Sequence, residues 1–317
     1  MKKSIFSLFL ILAASIAFAQ VAPQPLFKPE VKKVLFLGNS ITYAGNYVND
    51  IEAYCIAHFP NQKIEFINVG LPSETVSGLS EEGHADGRFP RPDLHERLSR
   101  VLAKTKPDLV FASYGMNDGI YLPLDLVRFQ KFKDGIQWLH DKVVASGAKI
   151  IHLTPPIYDE ARGKKIGYSD VLDAYSDWLL SQVKTVKWEV IDVHYPMQRV
   201  LDAHRRLDQR IGIESNFTLA NDGIHPAEAG HWIMAKSILM HLGAKEIIKA
   251  GTIQATLTNI ENPDAFMKLI TERQNILKDA WLTNIGHSRP EMNKGLPLEE
   301  AQTKAAELEV QIREMVR

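Results

Sequence analysis

The sequence predicts an α/β fold: a parallel sheet of five strands covered on both faces by helices, then a helical C-terminal extension. Three observations carry this. Short apolar runs recur along the chain without polar alternation, as strands buried on both faces require. Helix-length amphipathic segments separate them, which is how parallel neighbours are connected. From about residue 262 the strand pattern stops and long charged helical periods take over.

In chain order, a proline-rich lead-in over 22–29 precedes the first strand at 34–37, Val34-Leu35-Phe36-Leu37. Residues 47–59 place apolar side chains at helical spacing. The second strand spans 63–69 and ends at Gly70. A helix is expected over 91–104, with Leu94, Leu98, Val101 and Leu102 as its apolar positions. Pro107-Asp108 leads into the third strand, 109–113. A helix over 129–146 is closed by Gly147, and the fourth strand follows at 149–153. A helix at 168–183, a fifth strand at 188–193 and a helix at 227–242 complete the alternation. Asn262-Pro263 then supplies a cap and a first-turn proline for a helix over 264–282. After a Gly/Pro-punctuated stretch at 286–297, a charged helix runs over 298–316. The expected organisation is a leader at 1–19, a main domain at 32–245, and a helical extension at 262–317 that packs on the α/β body or on a partner.

Bulk properties exclude several classes. At 317 residues and 45% hydrophobic content the chain can bury a sizeable core. A formal charge of −1, from 37 basic and 38 acidic residues, leaves no footprint for nucleic acid. Lys2-Lys3, the mostly apolar stretch 5–14 and Ala17-Phe18-Ala19 have the layout of a secretory signal peptide cleaved after Ala19. That run is short of the ~20 residues that span a bilayer, so a secreted or periplasmic protein without a membrane span is expected. The single cysteine, Cys55, allows no disulfide within the chain and reads as a small buried residue. Neither a metal-ligand cluster nor a phosphate or dinucleotide loop is present in the sequence, so no cofactor is expected.

Two short segments carry chemistry. Gly38-Asn39-Ser40-Ile41-Thr42 places a serine just past a buried strand, and Asp222-Gly223-Ile224-His225-Pro226 places an acid and an imidazole three residues apart. A serine hydroxyl needs a positioned base to act as a nucleophile at neutral pH. Each segment alone has a plainer reading: Ser40 as a helix cap, Asp222 as an N-cap, His225 as a helix-start residue. Gly70 and Asn117, in Gly115-Met116-Asn117-Asp118, fall between them, at or just past strand ends. In parallel sheets ligands sit beyond those ends, so separate segments converge on one edge. Their joint presence favours catalysis by a serine-dependent hydrolase, with Ser40 attacking, His225 shuttling the proton and Asp222 holding the imidazole.

These blocks, in this order, resemble the SGNH (GDSL-type) hydrolase family over about residues 32–245. The resemblance implies a three-layer α/β/α fold and ester hydrolysis through an acyl-enzyme. It also implies an oxyanion hole made by the Ser40 and Gly70 backbone N–H groups and the Asn117 side-chain amide. The first block departs from the family pattern, with Asn39 where an aspartate is usual. The loop 84–92, with Arg88 or Arg91, and the segment around Tyr121 are candidate substrate contacts, against a plainer reading of the loop as solvated surface. The favoured activity is removal of O-acetyl groups from carbohydrate, with small-molecule or oligosaccharide esters as partners. No lid-like apolar run is evident near the motifs. A lipolytic esterase, lysophospholipase or thioesterase is the alternative within the class. A non-catalytic carbohydrate-binding protein is the alternative outside it.

Overall fold

The computed structural model describes residues 25–316. The expected leader at 1–19 lies outside them. Strand β1 (Lys33–Gly38) runs into a one-turn helix α1 (Ser40–Ala44), and α2 (Asn46–His58) follows after Gly45. Then come β2 (Glu65–Asn68), α3 (Leu98–Thr105), β3 (Leu109–Ser113), α4 (Leu126–Ala145) and β4 (Lys149–Leu153). A short α5 (Glu160–Gly163), α6 (Tyr168–Thr185), β5 (Glu189–Ile191), α7 (His194–Arg210) and α8 (Glu228–His241) complete the α/β body. Two long helices, α9 (Pro263–Ile285) and α10 (Leu298–Glu314), end the described chain.

The five strands form one parallel sheet in the order β2-β1-β3-β4-β5. Val34 to Leu37 are wholly buried at its centre, with Phe36 stacked between Phe66 and Phe111 of the neighbouring strands. This explains why the strands read as continuous apolar runs: helices cover both faces. The chain leaves β1 towards β2 on one side and returns to β3 on the other. The carboxyl ends of β1 and β3 therefore flank a topological switch point, where crevices form in such sheets. Ser40 follows β1 by two residues and Asn117 follows β3 by four.

Two elements differ from the sequence reading. The helix expected over 91–104 begins only at Leu98. Residues 92 and 93 are bridged to Thr75, whose N–H donates to Pro92 O and whose carbonyl accepts from Leu94 N–H, and a 3-10 turn capped by Asp93 intervenes. Helix α7 was not anticipated. It buries only a narrow stripe (His194, Met197, Leu201), too thin to stand out in a polar segment that also carries Pro196 in its first turn. In the C-terminal region α9 packs along α2 and β2, and α10 packs on α9. Arg273 of α9 forms a buried ion pair with Glu52 of α2.

Candidate active site

Ser40 is the first residue of α1. The Asn39 side chain accepts from Ile41 N–H at 3.0 Å, so asparagine serves as the N-cap where an aspartate would do the same work. A first-turn amide has no intrahelical partner, and the Ser40 N–H meets no acceptor among the described residues. The loop after β2 lies directly on this helix. A Cβ at Gly70 would stand 2.3 Å from the Tyr43 nitrogen, so only glycine allows the approach. Helix α9 holds the other end of α1, where Lys278 Nζ donates to Tyr43 O at 2.9 Å and Tyr43 OH to Asp279.

The second segment meets the first across the switch point. His225 Nε2 lies 2.8 Å from Ser40 Oγ, and His225 Nδ1 lies 2.6 Å from Asp222 Oδ2. A carboxylate only accepts, so Nδ1 carries the proton and the Nε2 lone pair faces the serine hydroxyl. Asp222 Oδ1 accepts from the Ile224 and His225 N–H groups at 2.9 and 2.8 Å. Partial burial raises the Asp222 carboxyl, but these hydrogen bonds outweigh it and hold the group below its usual range. The chain is open to solvent, with the His225 and Asp222 side chains 47% and 53% exposed. Gly223 turns the loop at φ +81°, and its carbonyl accepts from Asp159 N–H. The buried Asp159 carboxylate accepts from Arg205 Nη2 at 2.7 Å and from Thr218 Oγ1 at 2.8 Å, so α7 supports the loop from beneath.

The amides from Gly70 to Ser77 depart from one expectation. The Gly70 N–H, expected to face a substrate oxyanion, instead donates to Asn68 Oδ1 at 2.9 Å. Leu71, Glu74 and Thr75 donate to backbone carbonyls, and Val76 and Ser77 to Asp118 Oδ1. Pro72 has no N–H. Only the Ser73 amide is left without an acceptor among the described residues, and Ser73 sits at φ +68°. A side chain in that left-handed region costs energy that the surroundings must supply. Gly70 is thus needed for its missing Cβ, and Ser73 presents the free donor.

Asn117 is buried and oriented from both ends. Its Nδ2 donates to Glu74 O at 3.1 Å, and its Oδ1 accepts from Tyr121 OH at 3.1 Å. The second Nδ2 hydrogen remains for another acceptor. An imidazole in contact with a serine hydroxyl can take its proton as it attacks, and the free N–H groups of Ser40, Ser73 and Asn117 are donors suited to an oxyanion.

The other nominated residues separate. Tyr121 belongs to this group, stacked on Tyr168 at 4.8 Å with the Arg91 guanidinium over its ring. Arg91 itself is buried and bound through Nε and Nη2 to the two carboxylate oxygens of Glu81. Arg88 is drawn away from the role expected of it: it pairs with Glu291 and donates to Ala85 O. Burial pushes the Cys55 thiol up to about 12, so it stays neutral. An exposed apolar strip follows Tyr121, where no lid-like apolar run was expected. Leu122, Leu124, Leu126 and Val127 directly follow Tyr121 and are exposed, Leu126 by 79%. Gly167 lies against Pro123, which brings the 86% exposed Ile166 to the same strip. Among the described residues no three His, Cys, Asp or Glu side chains gather as a metal set, and no helix is long and apolar enough to cross a membrane.

The model of the GDSL-like lipase/acylhydrolase family matches residues 36–233, which include every block named above. Among solved structures, an acetylxylan esterase from Geobacillus stearothermophilus superposes with a TM-score of 0.51 at 22% identity, covering 67% of this chain and 94% of that one. An alpha/beta hydrolase enzyme from the metagenome of Lake Arreo, Spain, gives 0.53 at 24% identity, covering 69% and 98%. A gut microbial diltiazem-metabolizing enzyme also gives 0.53 at 24% identity over 69% of this chain, which spans only 48% of that enzyme's length. These likenesses concern the fold. No curated protein matches the chain.

Proposed function

The chain belongs to the GDSL-like lipase/acylhydrolase family and is a carboxylic ester hydrolase, and on that premise we propose that it is a serine esterase that removes O-acetyl groups from carbohydrate. The observation that carries the mechanism is the continuous hydrogen-bonded chain from Ser40 through His225 to Asp222. Ser40 Oγ attacks the ester carbonyl carbon as its proton passes to His225 Nε2. The oxyanion is held by the Ser40 and Ser73 amides and by the free Asn117 Nδ2 hydrogen. Collapse of the tetrahedral adduct expels the alcohol, which takes the proton from Nε2, and leaves an acyl-serine. Water, deprotonated by the same imidazole, then releases the acid and restores the hydroxyl. Asp222 holds the reactive tautomer and stabilises the imidazolium.

Two features support a small acyl group on a sugar. The reacting groups sit in an open site, and the half-buried Tyr121, backed by the buried Tyr158 and Tyr168, places an aromatic side chain beside Asn117 at its edge. The signal-peptide layout at 1–19 adds export to this reading. A second reading, a lipolytic esterase, is favoured by the exposed apolar strip from Leu122 to Val127. Initial rates on acetylated xylo-oligosaccharides and on long-chain acyl esters, with Ser40→Ala as control, separate the two. Acetate release that vanishes in Ser40→Ala is the expected result, and preference for long chains would overturn the acetyl assignment. Failure of a fluorophosphonate to label Ser40 in folded protein would instead leave a binding protein.

A further inference from the structure

Directly behind the proposed oxyanion donors lies a buried ionic cluster that the reaction does not use. Glu74 and Arg97 are 0% and 1% exposed. Arg97 Nε and Nη2 donate to the two Glu74 carboxylate oxygens at 2.6 and 2.7 Å, and Tyr114 OH donates to Glu74 Oε2 at 2.6 Å. Arg97 Nη2 also donates to Val69 O at 2.8 Å. Replacing such a pair by apolar side chains is often neutral or stabilising, so stability alone gives little reason to keep one.

Its position gives a better reason. Glu74 directly follows Ser73, whose amide is the free donor, and the Glu74 carbonyl is what Asn117 Nδ2 binds. Tyr114 opens the Tyr114-Gly115-Met116-Asn117 stretch after β3, and Val69 follows β2 just ahead of Gly70. Arg97 immediately precedes α3 and is anchored by that helix. One carboxylate therefore ties together both loops that carry the donors and joins them to a helix. Asp118 repeats the tie from the other loop, its Oδ1 accepting from Val76 and Ser77 and its Oδ2 from Gly115. A single rigid unit then contains the Ser73 amide and the Asn117 amide. We propose that the Glu74–Arg97–Tyr114 cluster is a positioning device that holds the Ser73 N–H and the Asn117 side chain at a fixed separation for the oxyanion. None of the three side chains needs to touch substrate. Their contribution is made in the transition state, because an oxyanion hole acts only when its donors already occupy their places.

This inference rests on the serine-esterase reading, and its test keeps the two apart. Arg97→Lys preserves the charge but loses the two-pronged geometry, and Tyr114→Phe removes one hydroxyl from the cluster. Steady-state kinetics on a short-chain acyl ester should show kcat falling by about 10–100-fold in Arg97→Lys, the scale of a misplacement near 1 Å, with KM within twofold of the parent. Tyr114→Phe should show a smaller loss of the same kind, about 3–10-fold. A boronic-acid analogue of the tetrahedral adduct should lose affinity in proportion to kcat/KM, whereas binding of the product alcohol should not change. Such parallel losses are not produced by a cluster that only stabilises the fold. Folded variants with parental kcat, or a loss of thermal stability without a change in kcat, would overturn the proposal. If Arg97→Lys does not fold, Tyr114→Phe decides alone. A parent protein that hydrolyses no ester would sink the esterase reading, a result the positioning variants cannot produce.

Discussion

The two halves of the candidate site are built in opposite ways. On the nucleophile side Asn39, Glu74, Asn117 and Asp118 are buried, and their side chains are tied by hydrogen bonds into the loops around them. On the acid–base side Asp222 and His225 are about half exposed and stand on a loop secured from below through Gly223 and Asp159. The difference fits what each half would do in the proposed reaction. Oxyanion donors act by being fixed before charge develops, which buried lacing provides. An imidazole has to pass a proton to a departing alcohol and then activate water, so it has to stay reachable.

His225→Ala should separate activity from stability most sharply. Turnover should fall by about 10⁴-fold or more, with unfolding free energy within about 0.5 kcal/mol of the parent, because an exposed side chain is lost. Urea titration alongside kinetics checks both, and substantial destabilisation would show that the exposed half also supports the fold. Asn117→Ala should cost about 10²–10³ in kcat. It should also cost about 1–3 kcal/mol of stability, because the Glu74 carbonyl and the Tyr121 hydroxyl lose their partner. Loss of activity with parental stability would erase the contrast between the halves.

The smallest expected effect on turnover lies between α2 and α8, the helices that follow the two halves. Asp50 of α2 is buried near Glu228, the first residue of α8, and burial followed by that neighbouring charge pushes its carboxyl up to about 8. Between the ordinary carboxylate range and that value the folded protein keeps a proton that the unfolded chain has released. Stability should therefore fall as pH rises through this window, by up to about 1.4 kcal/mol per pH unit. Asp50→Asn should flatten the slope and be the more stable protein at pH 8. Parallel pH profiles for parent and variant in chemical unfolding would refute the assignment.

Sequence and structure divided the work unevenly. The parallel sheet was legible because strands buried on both faces leave continuous apolar runs. Helix α7 was not, because its buried stripe is only three residues wide. Ser40, Asp222 and His225, which the structure brings into one hydrogen-bonded chain, could be nominated together for a related reason: strand end, glycine turn and acid–imidazole spacing are all local, and local order survives in the one-dimensional record. The Gly70 amide, nominated as an oxyanion donor, is already taken, since the direction of an amide is set by partners such as Asn68 Oδ1 and the Asp118 carboxylate. Arg88 was likewise claimed by Glu291, about two hundred residues away. By itself the chain determined which elements form and which residue types reach the sheet edge, because those depend on near neighbours and on the period of burial. Only the tertiary structure decided which N–H groups remain free, because a donor is free only after every other group in the fold has taken its partner.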